Sequence, residues 1–199
     1  MAFLATLYIL ECDDGSRKLK MKIGVAQINS TVGDLEGNLQ IASSAYAKLV
    51  SEGSELVIFP ELALCGYPPR DLLLKKSFGD DCSLSLERFA RETGPSPALI
   101  GFPEKRTSDE GRPFHNSVAL CRQGKIQQVF RKRLLPTYDV FDEDRYFAPG
   151  RLPMCFTHLG KKIGVTICED LWFRDGLHGE DPLDEICRER PDLLVNLSA

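Results

Sequence analysis

Short apolar runs separated by turn-forming residues set the rhythm of this chain. Residues 22-KIGVAQI-28 are apolar and rich in β-branched side chains, which predicts a buried strand. The stretch 30-STVGDLEGN-38 reads as a turn. The period then changes: Leu39, Ala42, Ala45, Tyr46, Leu49 and Val50 share one helical face over 38–53, with Asn38 able to cap the start and Gly53 able to end it. A strand, 55-ELVIFPE-61, stops at its proline. A second helix is predicted over 83–93, ended by Gly94 and Pro95, and the strand 98-ALIGF-102 follows. Loop residues fill 107–113. Residues 116–122 and 125–131 read as a hairpin about Gln123-Gly124. The last third predicts a strand at 154–159, a buried strand at 162–168, a short helix at 183–190 and a strand at 193–197.

Strands alternating with helices predict an α/β protein, and the central hairpin favours a mixed sheet over a purely parallel one. The sequence stops two residues after a strand, so the expectation is a partial domain. At the other end, 2-AFLATLYIL-10 is apolar but too short to span a bilayer. No basic residues precede it and acids follow it, unlike a signal peptide. It is either an extra strand or part of an upstream extension. Because Met21 opens a well-formed strand pattern, residues 1–20 are assigned to an N-terminal extension and 21–199 to the working domain.

Composition narrows the class. A chain of 199 residues with 43% hydrophobic content suits one globular domain or part of a larger protein. Charged residues of both signs are interspersed and the net charge is -4, which gives no electrostatic reason to expect a nucleic-acid or membrane partner. The local exception is 131-RKR-133, which charge alone reads as a solvated basic patch or a phosphate contact. Seven cysteines, an odd number without a CxxC pair, argue against a disulfide framework or a zinc site, and a reducing cytoplasm fits best. His115, His158 and His178 are scattered and read as surface or loop residues rather than metal ligands.

Three strand-end positions carry candidate chemistry. Glu61 follows a buried strand, where an acid is either a turn residue on the surface or a functional group. Lys132 opens 132-KRLLPTYDVFDEDRYFAPG-150, a long aperiodic segment of the kind that is usually functional in compact domains. Cys168 ends 162-KIGVTIC-168. It is either a small core hydrophobe or a nucleophile, and the acids Glu169 and Asp170 force the chain out of the core just beyond it. The three together would suffice for amide hydrolysis. A carboxylate can take the thiol proton, and an ammonium can stabilise a tetrahedral oxyanion with the backbone N–H of Glu169.

These segments resemble the signature blocks of the nitrilase, or carbon–nitrogen hydrolase, superfamily. The resemblance implies a catalytic Glu61 in 59-FPE-61, Lys132 in 132-KRLLP-136 and Cys168 in 167-ICED-170. It implies that Glu143, in 141-FDEDRYF-147, positions the lysine and assists proton transfer. Within the superfamily, 65-CGYPPRDLL-73 and 134-LLPTYDVFDEDRYF-147 are similar to the glutaminase domain of the glutamine-dependent NAD synthetase family. That likeness implies a four-layer α-β-β-α sandwich with mixed sheets, C-terminally incomplete here, and hydrolysis of L-glutamine through a Cys168 thioester. It implies contacts to glutamine from Tyr138 and, in the same pocket, Tyr67. It leaves Arg131 and Arg133 outside catalysis. It further implies a synthetase domain outside this sequence that takes the ammonia and uses ATP and Mg, no cofactor for the glutaminase domain itself, and self-association. Glutamine-holding serine and arginine residues are expected beyond position 199. A stand-alone amidase of the same superfamily, acting on another small amide, is the alternative.

Overall fold

A computed structural model describes residues 10–11, 21–107, 111–172 and 181–199. Its strands are β1 (Leu10–Glu11), β2 (Ile23–Val25), β3 (Leu56–Ile58), β4 (Ala98–Lys105), β5 (Phe114–Arg122), β6 (Lys125–Arg131), β7 (Cys155–His158), β8 (Lys161–Ile167) and β9 (Leu193–Leu197). Its helices are α1 (Leu35–Ser51), α2 (Phe78–Glu92) and α3 (Pro182–Arg188), with 3-10 turns at Arg70–Leu74, Glu143–Arg145 and Cys168–Leu171. Strands β2-β3-β4-β5-β6 form one sheet, parallel through β4 and antiparallel from there on. Strands β1-β9-β8-β7 form the other, with β8 and β9 parallel and both edge strands antiparallel.

Alternation along the strands builds the layers. In β3, Val57 faces α1 and α2, while Leu56 and Ile58 face the second sheet. In β4, Ala98, Ile100 and Phe102 join Leu39, Tyr46, Leu86 and Phe89 of the helices, while Leu99 points the other way. The space between the sheets is filled by Leu99, Val118 and Phe130 of the first and Ile163, Val165, Ile167, Val195 and Leu197 of the second. Each such fully buried side chain contributes about 1.5–3 kcal/mol, so this interlayer is what holds the sheets together. Helix α3 packs on the outer face of the second sheet, where Gly164 of β8 leaves room for Ile186. The order helix–sheet–sheet–helix is the mixed α-β-β-α sandwich expected.

The two helices begin earlier than periodicity predicts. Asp34, not Asn38, caps α1, accepting from the Gly37 N–H at 3.0 Å. Asn38 is buried inside the first turn, where its side chain accepts from Thr31 N and donates to Thr31 O, both at 2.8 Å, and reaches Leu64 O at 3.2 Å. It pins the preceding loop to the turn after β3. Helix α2 starts at Phe78 rather than 83, because Gly79 lets its first turn lie against the Phe114 ring. The hairpin turn at Gln123-Gly124 is as read, with positive φ at both residues. His158 is a correction: it is buried on β7 and its Nε2–H donates to Glu55 O at 2.9 Å. His115 is half-buried on β5 and donates from Nδ1 to Ala148 O at 2.6 Å. His178 lies outside the described residues.

Leu10 and Glu11, from the segment assigned to an extension, pair with Leu194 and Leu193 of β9. The rest of residues 1–20 lies outside the described residues. No described helix is long and apolar enough to cross a membrane.

Candidate active site

Both sheets deliver side chains to one place. After β3 the chain turns through Phe59, Pro60 and Glu61, with Leu62 at φ +49°. Gly101 of β4 lies directly beneath this turn; a Cβ there would collide with the backbone of residues 60–62. That bare strand position lets the Glu61 backbone settle onto the sheet. Lys132 is the first residue past β6, and its N–H donates to Asn116 O at 2.8 Å, extending the ladder by one rung. Glu143 starts a 3-10 turn in the long segment after it. Cys168 is the first residue past β8, from the other sheet.

Lys132 is fully buried between two carboxylates. Its Nζ donates to Glu61 Oε1 at 2.7 Å and to Glu143 Oε1 at 2.9 Å, and all three residues are at most 4% exposed. Asn116, also fully buried, donates from Nδ2 to Glu61 Oε1 at 2.8 Å and to Glu143 Oε2 at 3.3 Å. Tyr67 OH donates to Glu143 Oε1 at 3.0 Å. Glu61 Oε2 takes no hydrogen bond from an N–H or O–H of the described residues, and the Cys168 thiol interacts with the same carboxylate.

The electrostatics follow from burial. Desolvation works against the Lys132 charge, but Glu61 and Glu143 more than offset it, so the ammonium is held more tightly than an ordinary lysine's. Burial, opposed by Lys132 and reinforced by Glu61, lifts the Glu143 carboxyl to about 7. Burial first and the Glu61 charge second push the Cys168 thiol up, while Lys132 pulls it down. The resting sulfur is therefore a thiol, which needs a base at the moment it reacts.

Cys168 adopts φ +46°, a left-handed conformation that a non-glycine residue holds at a cost and that is common at functional turns. Asp170, buried two residues later, fixes the turn. Its Oδ2 accepts from Ile167 N at 3.1 Å, and its Oδ1 accepts from Arg133 N and Leu134 N, both at 2.8 Å. One carboxylate thus ties the turn carrying the thiol to the segment carrying the ammonium. Burial lifts its carboxyl to about 6, against the pull of those backbone donors and of Lys132.

The mouth of the site is aromatic. Tyr138 OH donates to Glu169 Oε2 at 2.8 Å, and the Phe141 ring stacks edge-on against Tyr138 at 5.5 Å and tilts against Tyr67 at 6.3 Å. Beside it lies a cavity of about 270 Å³ lined by Tyr67, Arg70, Phe141, Glu143 and Arg145 among others. A smaller one of about 80 Å³ touches Ser30, Glu61, Gly66, Tyr67 and Ala199. The basic patch resolves into separate pairings. Arg131 makes a two-pronged contact with Glu104 at 2.6 and 2.7 Å, and Arg133 another with Glu185 at 2.7 and 2.8 Å. Among the described residues no three His, Cys, Asp or Glu side chains gather as a metal-binding group.

Glu61, Lys132 and Glu143, read from the sequence as site residues, are in direct contact, with Cys168 in their electrostatic field and Tyr67 bonded to the cluster. Tyr138 and Glu169 meet each other at the rim. Asn116 and Asp170 were not singled out. Asn116 sits in a hairpin strand, where a polar residue gives no signal on its own. Asp170 stands in the quoted 167-ICED-170, but its partners lie 36 and 37 residues away in sequence.

Comparison with known proteins adds the following. The pattern of the carbon–nitrogen hydrolase family, described as "Carbon-nitrogen hydrolase", matches residues 22–180. A glutamine-dependent NAD(+) synthetase of Synechocystis is 43% identical over 186 residues, covering 89% of this chain and 33% of that protein. Its namesake in Thermotoga maritima is 43% identical over 155 residues, covering 77% and 26%. The chain therefore spans about a third of the length of these relatives or less. The structure of the glutamine-dependent NAD+ synthetase of Acinetobacter baumannii superposes with a TM-score of 0.81 at 30% identity, over 90% of this chain and 32% of that one. An amidase from Nesterenkonia shares the fold, with a TM-score of 0.64 at 23% identity, over 77% of this chain and 57% of that one.

Proposed function

The chain belongs to the carbon–nitrogen hydrolase family, and from that premise we propose that it hydrolyses the side-chain amide of glutamine and supplies the ammonia for NAD synthesis. The observation that carries the reading is Lys132, buried between Glu61 and Glu143 in the field of the Cys168 thiol. The names of the two synthetase relatives above support the choice of glutamine over other small amides.

In this mechanism Glu61 removes the Cys168 proton as the sulfur attacks the amide carbon. A base is needed because the thiol is held protonated at rest. Lys132 has three N–H donors, two of them given to carboxylates. The third, with the Glu169 backbone N–H, stabilises the oxyanion. Glu61 returns the proton to the departing nitrogen, ammonia leaves, and a thioester joins Cys168 to the glutamyl carbon. Glu61 then takes a proton from water, whose oxygen attacks the thioester carbon; the sulfur leaves and regains a proton, and glutamate is released. Glu143 keeps Lys132 in place throughout. Tyr67 and Tyr138 line the approach of the amino acid.

The reading extends to a synthetase part that takes the ammonia and joins it to deamido-NAD with ATP and Mg, in the cytoplasm, in an enzyme that self-associates. The part described above uses no cofactor. In the full-length protein, Cys168→Ala is expected to abolish glutamine-driven NAD formation and to spare formation from ammonium salts. Normal turnover with glutamine in that variant would overturn the proposal. Ammonia release from another small amide, but not from glutamine, would favour the stand-alone amidase.

A further inference from the structure

Asn116 touches Glu61, Glu143 and Lys132, the charged members of the buried cluster. Its backbone carbonyl accepts from Lys132 N at 2.8 Å. Its side-chain NH2 has two hydrogens and two acceptors, Glu61 Oε1 at 2.8 Å and Glu143 Oε2 at 3.3 Å. The amide cannot turn over, because Oδ1 would then face two carboxylate oxygens. As oriented, Oδ1 is buried and accepts no hydrogen bond from the described residues. A buried acceptor without a donor carries a desolvation cost, so this orientation serves the carboxylates rather than the amide.

Resting on the hydrolase reading above, we propose that Asn116 is a positioning residue of the centre: its NH2 bridges Glu61 and Glu143, holds Glu61 Oε1 on the lysine side, and leaves Oε2 for the proton of Cys168. Two carboxylates around one ammonium leave an excess negative charge among buried side chains. The amide hydrogens offset part of it and hold the Glu61 carboxylate in position as the base. The other groups facing these carboxylates are the Lys132 ammonium, the Tyr67 hydroxyl and the Cys168 thiol, with Asp170 acting on Lys132 from the far side. None of them donates to both carboxyl groups and is neutral, as Asn116 does and is.

The test is made in the full-length protein with Asn116→Leu, of the same branched shape though larger and without donors, and Asn116→Thr, which keeps one hydroxyl donor. In the Leu variant kcat for ammonia release should fall about 100-fold with KM within a few-fold of wild type. The acid limb of the kcat profile should move to higher pH, and the Thr variant should recover part of both. A second readout uses no substrate: the rate of Cys168 alkylation by iodoacetamide against pH should slow near neutrality, its acid limb moving the same way. Should the Leu variant fail to fold, Asn116→Ala takes its place with the same expectations. A folded variant with unshifted limbs, or one whose loss lies in KM alone, would overturn the role of Asn116. Wild-type protein that splits no amide would overturn the hydrolase reading instead, and the alkylation profiles would still decide on Asn116.

Discussion

The two carboxyl groups around the buried lysine depend on its ammonium. Lys132→Met would leave Glu61 and Glu143 facing each other without a cation. Removing one partner of a buried ion pair typically costs about 3–5 kcal/mol, so urea denaturation should show a loss of that size, together with loss of hydrolysis. Glu143 makes a second prediction with a definite sign. Burial lifts its carboxyl in the fold to about 7, above the ordinary glutamate value of about 4.5. The folded state therefore binds the proton more tightly than the unfolded chain. The stability this provides is complete below about 4.5 and is lost as pH rises through 7. Glutamine at this position carries no such dependence. Measured by thermal unfolding between pH 5 and 8, wild type should lose stability relative to Glu143→Gln as pH increases; a constant difference would show that the carboxyl is not raised. At this scale the sequence was partly transparent. Glu61, Lys132 and Cys168 stand where strands end, but each also reads as a surface acid, a basic patch or a core hydrophobe, and the family resemblance is what singles them out. Asn116 and Asp170 were opaque, because each is defined by partners that only folding brings near.

Among the elements, the 3-10 turn from Cys168 to Leu171 depends on Asp170. Asp170→Asn preserves shape but sets an NH2 or a carbonyl against donors that both oxygens now accept. One donor among Ile167, Arg133 and Leu134 must lose its partner, at a cost of about 1–3 kcal/mol. The turn and the Lys132 segment should then drift apart, so kcat should drop at least tenfold while circular dichroism stays native; an unchanged kcat would separate the clamp from the chemistry. Strands and their hairpin were legible because alternation and the Gln123-Gly124 turn both carry local signals. Helix starts were less so. The first turn of α1 holds Glu36 and Gly37, and that of α2 holds Gly79, Asp80 and Asp81. These break the apolar period even though tertiary packing makes both turns helical. The short turn at Arg70–Leu74 follows two prolines and is too brief to show a helical period.

For the molecule as a whole, the layered plan could be anticipated from the alternation of strands and helices and from the family resemblance. Which face of each strand meets which layer had to be seen, since β3 and most of β4 and β5 are buried on both sides. The consequence lies in where the reactive groups are anchored. The carboxylate and the ammonium belong to one sheet and the sulfur to the other, and the apolar interlayer, with a few polar ties such as the Asp170 clamp, keeps the two in step. Slippage of an ångström or so between these slabs would separate base from nucleophile while leaving every ladder of backbone bonds intact. Mild denaturant should accordingly silence the enzyme at concentrations where its far-ultraviolet spectrum is still native. Coincident loss of both signals would mean that the slabs cannot slide without melting.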